Sequence, residues 1–152
     1  RAALRHHLIP IVCIGETQKE RKTGMIDVVL ARQMDAIFGN LSKMQAEKIV
    51  LAYEPRWAIG TDNLPTTQEI FQVRIMIRKW LAERLGNATE ERISVLYGGS
   101  VKASYLGSVS WEAEMDGVLV GRESLFPFEV VKMMLLLEES GGYKPNDTGK
   151  SL

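Results

Sequence analysis

Apolar residues gather in four short runs along the chain, and small or polar residues follow each run. The runs cover residues 8–14, 49–53, 93–97 and 118–120. They are nearly continuous rather than alternating, which is the pattern of strands buried on both faces of a parallel sheet. The chain is therefore predicted to contain four buried β-strands whose carboxyl ends lead into loops that can carry chemistry.

Helical periodicity fills the gaps between the first three runs. Residues 24–38 carry apolar side chains at helical spacing, and Gly39 ends that pattern. Thr66 and Glu69 have the spacing of a capping box, in which each side chain accepts a hydrogen bond from the other residue's backbone N–H. The helix that opens there has one apolar face, and Gly86 marks its end.

Shorter helical segments complete the alternation. A crossover helix fits within 101–106, and Pro127 suits the first position of a final helix that continues to residue 137. Residues 1–7 resemble the end of a preceding helix, and the polar residues 141–152 predict a disordered tail. Four β-then-α units imply a parallel sheet with right-handed crossovers, and their spacing alone also allows a doubly wound sheet.

Composition narrows the classes of function. The 152 residues correspond to one ordinary domain, with 45% hydrophobic and 25% charged residues. A net charge of zero gives no attraction to nucleic acid or an anionic membrane surface, and no apolar run is long enough to span a bilayer. The single cysteine, Cys13, cannot form an internal disulfide. We expect a soluble cytoplasmic protein without nucleic-acid or membrane partners.

The most informative segment is Tyr-Glu-Pro-Arg-Trp-Ala-Ile-Gly-Thr, residues 53–61. Its glutamate, Glu54, ends a buried strand and is joined directly to a stiff Pro-Arg-Trp sequence. The loop runs to Pro65, and at about ten residues it is longer than the usual βα connection. An isolated glutamate at a strand end more often pairs with a cation, but this context predicts a catalytic carboxylate beside a mobile lid.

Two later loops have the composition of anion-binding sites. They are Leu-Tyr-Gly-Gly-Ser-Val at 96–101 and Asp-Gly-Val-Leu-Val-Gly at 116–121. Glycine lets backbone N–H groups approach an anion, and a following helix N-terminus adds a favourable dipole. Gly-Gly-Ser alone is most often only a turn. Its place after a strand and before a helix favours a phosphate-binding loop.

In this order, the three segments resemble the triosephosphate isomerase family over about residues 4–140. The resemblance implies an α/β fold, the TIM (β/α)8 barrel, of which residues 1–140 form the C-terminal half with four βα units. Complete barrels typically have about 250 residues. The resemblance also implies interconversion of dihydroxyacetone phosphate and D-glyceraldehyde 3-phosphate through an enediolate, without a metal or organic cofactor.

The resemblance assigns roles to individual residues. Glu54 is the catalytic base, a role that suits a carboxylate when desolvation raises its pKa toward the working pH. Gly60, Ser100, Gly121 and Arg122 bind the phosphate of a small phosphorylated sugar. The family's lysine and histidine lie in the half that is absent here, so this chain alone is expected to be inactive or very weak. The intact protein is expected to be a cytoplasmic homodimer in glycolysis and gluconeogenesis.

The chain departs from the family pattern at two places. Asp-Asn-Leu-Pro at 62–65 replaces the usual Gly-Lys-Thr-Ala of the second lid hinge, so a glycine's freedom is lost and Leu64 is restricted by the proline. Arg122 replaces the second of two adjacent glycines. Its side chain could crowd the phosphate, add a guanidinium contact, or point outward and pair with Glu123 or another acid.

Four further residues need no direct chemical role. Cys13 is expected to be a buried packing thiol beside the site, and Glu16 is expected to orient its neighbours through hydrogen bonds. His6 and His7 are expected to be solvated, because adjacent side chains on a helix point apart and cannot easily share a metal ion. No metal site is predicted.

Two alternatives to the isomerase of triose phosphates stay open. An isomerase of a related four-carbon ketose phosphate would account for the altered hinge and for Arg122, since both lie where substrate length would be sensed. A non-catalytic phosphate-binding barrel fragment would keep Glu54 without positioning it. For a fragment, exposed sheet edges predict self-association or pairing with the missing half.

Overall fold

The computed structural model describes residues 1–107, 109 and 112–139. Four strands form one parallel sheet in chain order: β1 (Ile11–Ile14), β2 (Val50–Tyr53), β3 (Val95–Tyr97) and β4 (Gly117–Val118). The four predicted strands are therefore confirmed, although each is shorter than the apolar run that predicted it. The predicted tail, residues 141–152, lies outside the described residues.

The carboxyl ends of the four strands lie level with one another. Ile14 is in register with Tyr53, and Tyr53 is in register with Tyr97. Tyr97 in turn pairs with Val118. Because all the strands are parallel, the loops that follow them begin along one edge of the sheet, where the predicted functional segments come together.

Helices follow the strands in alternation. Helix α1 (Ala2–Arg5) precedes β1, and α2 (Gln18–Lys22), α3 (Ile26–Phe38) and α4 (Lys43–Ala46) lie between β1 and β2. Helices α5 (Thr67–Leu85) and α6 (Asn87–Glu90) lie between β2 and β3, and α7 (Ala103–Gly107) follows β3. A 3-10 helix (Arg122–Leu125) and α8 (Pro127–Glu139) follow β4. The two long helices, the crossover helix and the final helix were predicted.

The short helices α2 and α4 were not predicted, although each carries a start signal. Thr17 and Glu20 form a complete capping box at α2, and Ser42 and Gln45 form another at α4. Helices of five and four residues are too short to show an apolar periodicity. Their caps are the one local feature that distinguishes them from loops.

Helix α5 supplies much of the core. The apolar face predicted for it is confirmed, because its members are all buried, namely Ile70, Val73, Ile77, Leu81 and Leu85. They share one hydrophobic cluster with residues of the central strands, including the fully buried Leu51 and Val95. This packing holds β2 and β3 in place, and with them the loops that carry the candidate site.

Strand β1 is not buried on both faces, which corrects two expectations. Ile11 and Cys13 are exposed, whereas Ile14 is buried and Val12 packs against the core. Successive strand residues point to opposite faces, and the described helices cover only the face of Val12 and Ile14. The expectation that Cys13 is a buried packing thiol is therefore wrong.

Exposed apolar side chains lie at the two ends of the described structure. Leu8 and Ile9 precede β1, while Phe128, which is 90% exposed, and Met134 lie on α8. Self-association through the sheet edges at β1 and β4 stays a prediction. None of the helices within the described ranges is long and apolar enough to cross a membrane.

Candidate active site

The loops after β2, β3 and β4 surround one cavity of about 560 Å³. Every residue predicted to act on the substrate lines it: Glu54, Gly60, Ser100, Gly121 and Arg122. These residues come from three separate loops, and the level strand ends bring them together. The cavity is therefore the candidate site.

Two glycines fix the position of Glu54. Its backbone N–H donates to the Ile14 carbonyl at 2.8 Å, and its side chain is half-buried. A Cβ atom on Gly15 would lie 1.9 Å from the Glu54 carbonyl oxygen, and one on Gly98 would lie 2.6 Å from Glu54 Cγ. Gly98 was predicted to expose a backbone N–H to an anion, but its evident role is to leave room for the Glu54 side chain.

The thiol of Cys13 lies close to Glu54. Partial desolvation of the thiol and the neighbouring Glu54 carboxylate both raise the pKa of Cys13 above its ordinary value of 9.0. Cys13 is exposed and is the chain's single cysteine, so its reactivity reports on the charge of Glu54.

Replacing Glu54 by Gln is expected to lower the pKa of Cys13, because the amide removes the negative charge that disfavours the thiolate. The measurement is the rate of iodoacetamide alkylation as a function of pH. Glu123→Gln is the matched control, since Glu123 lines the same cavity but does not contribute to the pKa shift of Cys13. An unchanged alkylation profile in Glu54→Gln would show that the two side chains do not interact.

The predicted lid is tied to the loop after β3 through Ser100. The Ser100 hydroxyl accepts a hydrogen bond from the Gly60 N–H at 2.9 Å and donates one to the Ala58 carbonyl at 2.7 Å. Gly60 and Ser100 both have positive φ, 68° and 51°, and for serine this conformation is uncommon. Two groups predicted to contact the substrate therefore contact each other.

The expected helix dipole behind Ser100 is largely missing. Helix α7 begins at Ala103 rather than directly after Ser100, and it has only five residues. A helix this short has few aligned peptide dipoles. Anion binding in this loop would therefore depend on individual donors rather than on a helix terminus.

Arg122 faces the cavity. One of its terminal nitrogens lies 3.7 Å from the place where a Cβ on Gly60 would stand. Within the described part of the chain, Arg122 forms no ion pair, so outward pairing with Glu123 or another acid, one of the three alternatives for this side chain, is not observed. Gly121 is exposed at the same wall, with no atom within 4 Å of its would-be Cβ.

Glu16 is a buried acceptor behind the lid. It is fully buried and receives hydrogen bonds from the Trp57 indole N–H at 2.8 Å, the Tyr53 hydroxyl at 3.2 Å and Arg21 at 3.1 Å. This is the orienting role expected of it. Arg21 was not predicted; it also stacks over the Trp57 ring at 4.8 Å and pairs with Glu69 at 2.5 Å. Arg21 lies on α2, and the capping box that begins this helix is the sequence feature from which its position could have been predicted.

A second lid contact was also missed. Lys102 Nζ lies 3.0 Å from an Asp62 carboxylate oxygen, and both residues line the cavity. They are distant in sequence, and no local pattern pairs them.

Among the described residues there is no group of three or more His, Cys, Asp or Glu side chains that could hold a metal ion. His6 and His7 are exposed and follow the end of α1.

Known proteins match the chain over nearly the same range as the resemblance seen in its sequence, residues 4–140. The family model described as triosephosphate isomerase matches residues 1–136. The triosephosphate isomerase of Paracoccidioides lutzii is 42% identical over 127 residues, which make up 84% of this chain and 51% of that protein. The enzymes of Clostridium perfringens and Roseiflexus sp. are 40% and 39% identical over 125 residues, 82% of this chain and 50% and 49% of theirs.

The chain thus spans about half the length of the curated relatives it matches. Its parallel order of four strands with intervening helices agrees with half of a closed (β/α)8 barrel. The motif order, the cavity at the carboxyl ends of the strands and the family match all lead to one conclusion: this chain belongs to the triosephosphate isomerase family.

Proposed function

We propose that the protein interconverts dihydroxyacetone phosphate and D-glyceraldehyde 3-phosphate as an aldose–ketose isomerase. One observation carries the proposal. A carboxylate at the end of β2, Glu54, shares a cavity of about 560 Å³ with the residues predicted to hold a phosphate. Family membership supports the choice of substrate, because the relatives bear the name triosephosphate isomerase.

Glu54 would move the proton. Isomerisation requires a base that removes a proton from one carbon and returns it to the adjacent carbon, through an enediolate. A single carboxylate within hydrogen-bond reach of both carbons can do this. Gly15 and Gly98 admit the Glu54 backbone and side chain at positions where a Cβ atom would collide with them, so they allow the base to occupy this place.

The opposite wall would hold the phosphate. Backbone N–H groups at Gly121 and Arg122, together with the Arg122 guanidinium, suit a dianion, because guanidinium forms paired hydrogen bonds with phosphate oxygens. The bond from the Gly60 N–H to Ser100 joins the lid to the neighbouring loop after β3. A lid held in this way excludes water and protects the reactive enediolate.

The remaining parts of the proposal rest on the family alone. The lysine and histidine that polarise the substrate carbonyl would come from the other half of the barrel, so full turnover would need that half. The reaction itself would use no metal and no organic cofactor. The intact protein would be a cytoplasmic homodimer working in glycolysis and gluconeogenesis.

The test is turnover by the intact protein of glyceraldehyde 3-phosphate and of a four-carbon ketose phosphate. We expect kcat/KM for the triose to be higher by about tenfold or more, the discrimination typical of one extra carbon in a fitted pocket. The reverse preference would make the lid residues 62–65 and Arg122 determinants of a longer substrate. Binding of inorganic phosphate without turnover of either sugar would favour the non-catalytic alternative.

A further inference from the structure

The second half of the lid is contacted by side chains from the segment that follows β3. Lys102 pairs with Asp62, and the hydroxyl of Tyr105 donates a hydrogen bond to the carbonyl of Pro65. Neither Tyr105 nor Pro65 lines the cavity or enters the proposed proton transfer. Their contact lies in the lid segment whose sequence departs from the family pattern.

Pro65 limits how this hinge can be held. Pro65 is buried and has no backbone N–H, so its carbonyl is the one backbone group through which it can be tied. The next residue, Thr66, is fixed as the N-cap of α5, because its N–H donates to Glu69 at 2.7 Å and its hydroxyl accepts from the Glu69 N–H. The Pro65 carbonyl is thus the last lid group before a rigid helix.

Tyr105 stands on a well-packed element. Its neighbours on α7, Ala103 and Leu106, are buried in the core, and Tyr105 itself is half-buried. Its ring packs edge-on against Tyr97 with 6.2 Å between ring centroids. A hydroxyl held by such packing loses little freedom when it binds the lid, so its hydrogen bond is more effective than one from a mobile chain.

The two tyrosines differ in what their hydroxyls do. The buried Tyr97 hydroxyl lies beside the Tyr105 hydroxyl and bonds to no lid group among the described residues, whereas the Tyr105 hydroxyl reaches Pro65. The ion pair of Asp62 with Lys102 adds little, because the Asp62 side chain is 95% exposed and surface pairs are screened by water. The hydroxyl of Tyr105 is therefore the main tie on this half of the lid.

We propose that Tyr105 is a positioning residue that anchors the second lid hinge through the Pro65 carbonyl. With Pro65 held and Thr66 capped, hinge motion is confined to residues 62–64. Loss of the anchor lets the lid leave Ser100 more often, which weakens retention of the phosphorylated substrate. The effect on substrate rests on the proposed isomerase function; the anchoring itself does not.

The test is amide hydrogen exchange in Tyr105→Phe and Tyr97→Phe, with no substrate present. Each variant loses one hydroxyl and keeps its ring, so both are expected to fold. In Tyr105→Phe, exchange at the Gly60 N–H group, which bonds to Ser100, should accelerate about tenfold, the size expected for one lost hydrogen bond. In Tyr97→Phe it should accelerate much less, because the Tyr97 hydroxyl reaches the lid only through Tyr105.

Sheet amides separate a lid effect from a loss of global stability. The Leu51 and Gly98 N–H groups bond to Ser94 and Tyr53 across the sheet and should exchange at the same rate in both variants. Equal lid exchange in the wild type and Tyr105→Phe would overturn the anchor, as would acceleration that extends equally to the sheet.

Turnover of the intact protein then tests the link to function. Tyr105→Phe is expected to raise KM for glyceraldehyde 3-phosphate about tenfold while changing kcat less. Fast lid exchange in a protein with no wild-type turnover would sustain the anchor and refute the proposed reaction. If the wild type turns over normally but lid exchange is no faster in Tyr105→Phe, the proposed reaction stands and the anchor is refuted.

Discussion

Glu54→Gln is expected to lower kcat/KM of the intact protein about 10²- to 10⁴-fold, the range that a positioned acid–base group contributes. Glutamine has nearly the same volume, so it fits the space that Gly15 and Gly98 leave for this side chain. It cannot accept the substrate proton at working pH. The loss should appear mainly in kcat, because no uniform binding contact to the phosphate is removed.

Glu123→Gln provides the comparison. Glu123 lines the same cavity but follows β4 rather than β2, on the wall where the phosphate would lie. Its substitution is expected to leave kcat within about threefold of the wild type, since surface charges in partly solvated sites have small effects. Equal activities of the two variants would remove Glu54 from the mechanism, and substantial turnover by Glu54→Gln would do the same.

The parts of the fold that could be predicted are those with a local physical cause. Near-continuous apolar runs indicated strands covered on both faces, and this held for β2, whereas in β3 the middle residue, Leu96, is half-buried. The apolar face and capping box of α5 predicted both its start and its buried residues. The grouping of Glu54 and Ser100 around one cavity then follows from the level ends of parallel strands.

The features that could not be predicted depend on residues far apart in sequence. Cys13 is exposed because nothing described here covers its face of β1, an arrangement that its own apolar run does not reveal. The role of Gly98 is set by the Glu54 side chain, and Arg122 lies beside the lid at Gly60. Such contacts become visible only when the loops are placed side by side.

The network around Arg78 is also non-local, and breaking it is expected to lower stability. Arg78, on α5, donates to the Glu90 carboxylate at 2.9 Å and to the Ile93 carbonyl at 2.8 Å. It also pairs with Asp116, which accepts a hydrogen bond from the Val95 N–H at 2.6 Å. The arginine thus joins α5, the connection into β3 and the residue before β4.

Arg78→Met is expected to lower the free energy of unfolding by about 3 kcal/mol, the lower end of the cost of breaking a buried ion pair. Methionine can fill much of the space but leaves Glu90, which is mostly buried, and Asp116 without their cation. Asp116 keeps some contact with water, which limits the loss. The measurement is urea unfolding of the intact protein, with the midpoint and the slope recorded together.

Lys79→Met tests whether the loss belongs to the network rather than to charge removal on α5. Lys79 is the next residue of the helix, is 72% exposed, and faces Glu83 at 3.9 Å. Such a surface pair contributes at most about 0.5 kcal/mol, so this variant should unfold close to the wild type. If both variants shift the midpoint equally, the Arg78 network does not stabilise the fold. If only Arg78→Met does, the amino ends of β3 and β4 are held by one arginine, at the opposite end of the strands from Glu54. The turnover rate of each folded Arg78→Met molecule should then equal that of the wild type.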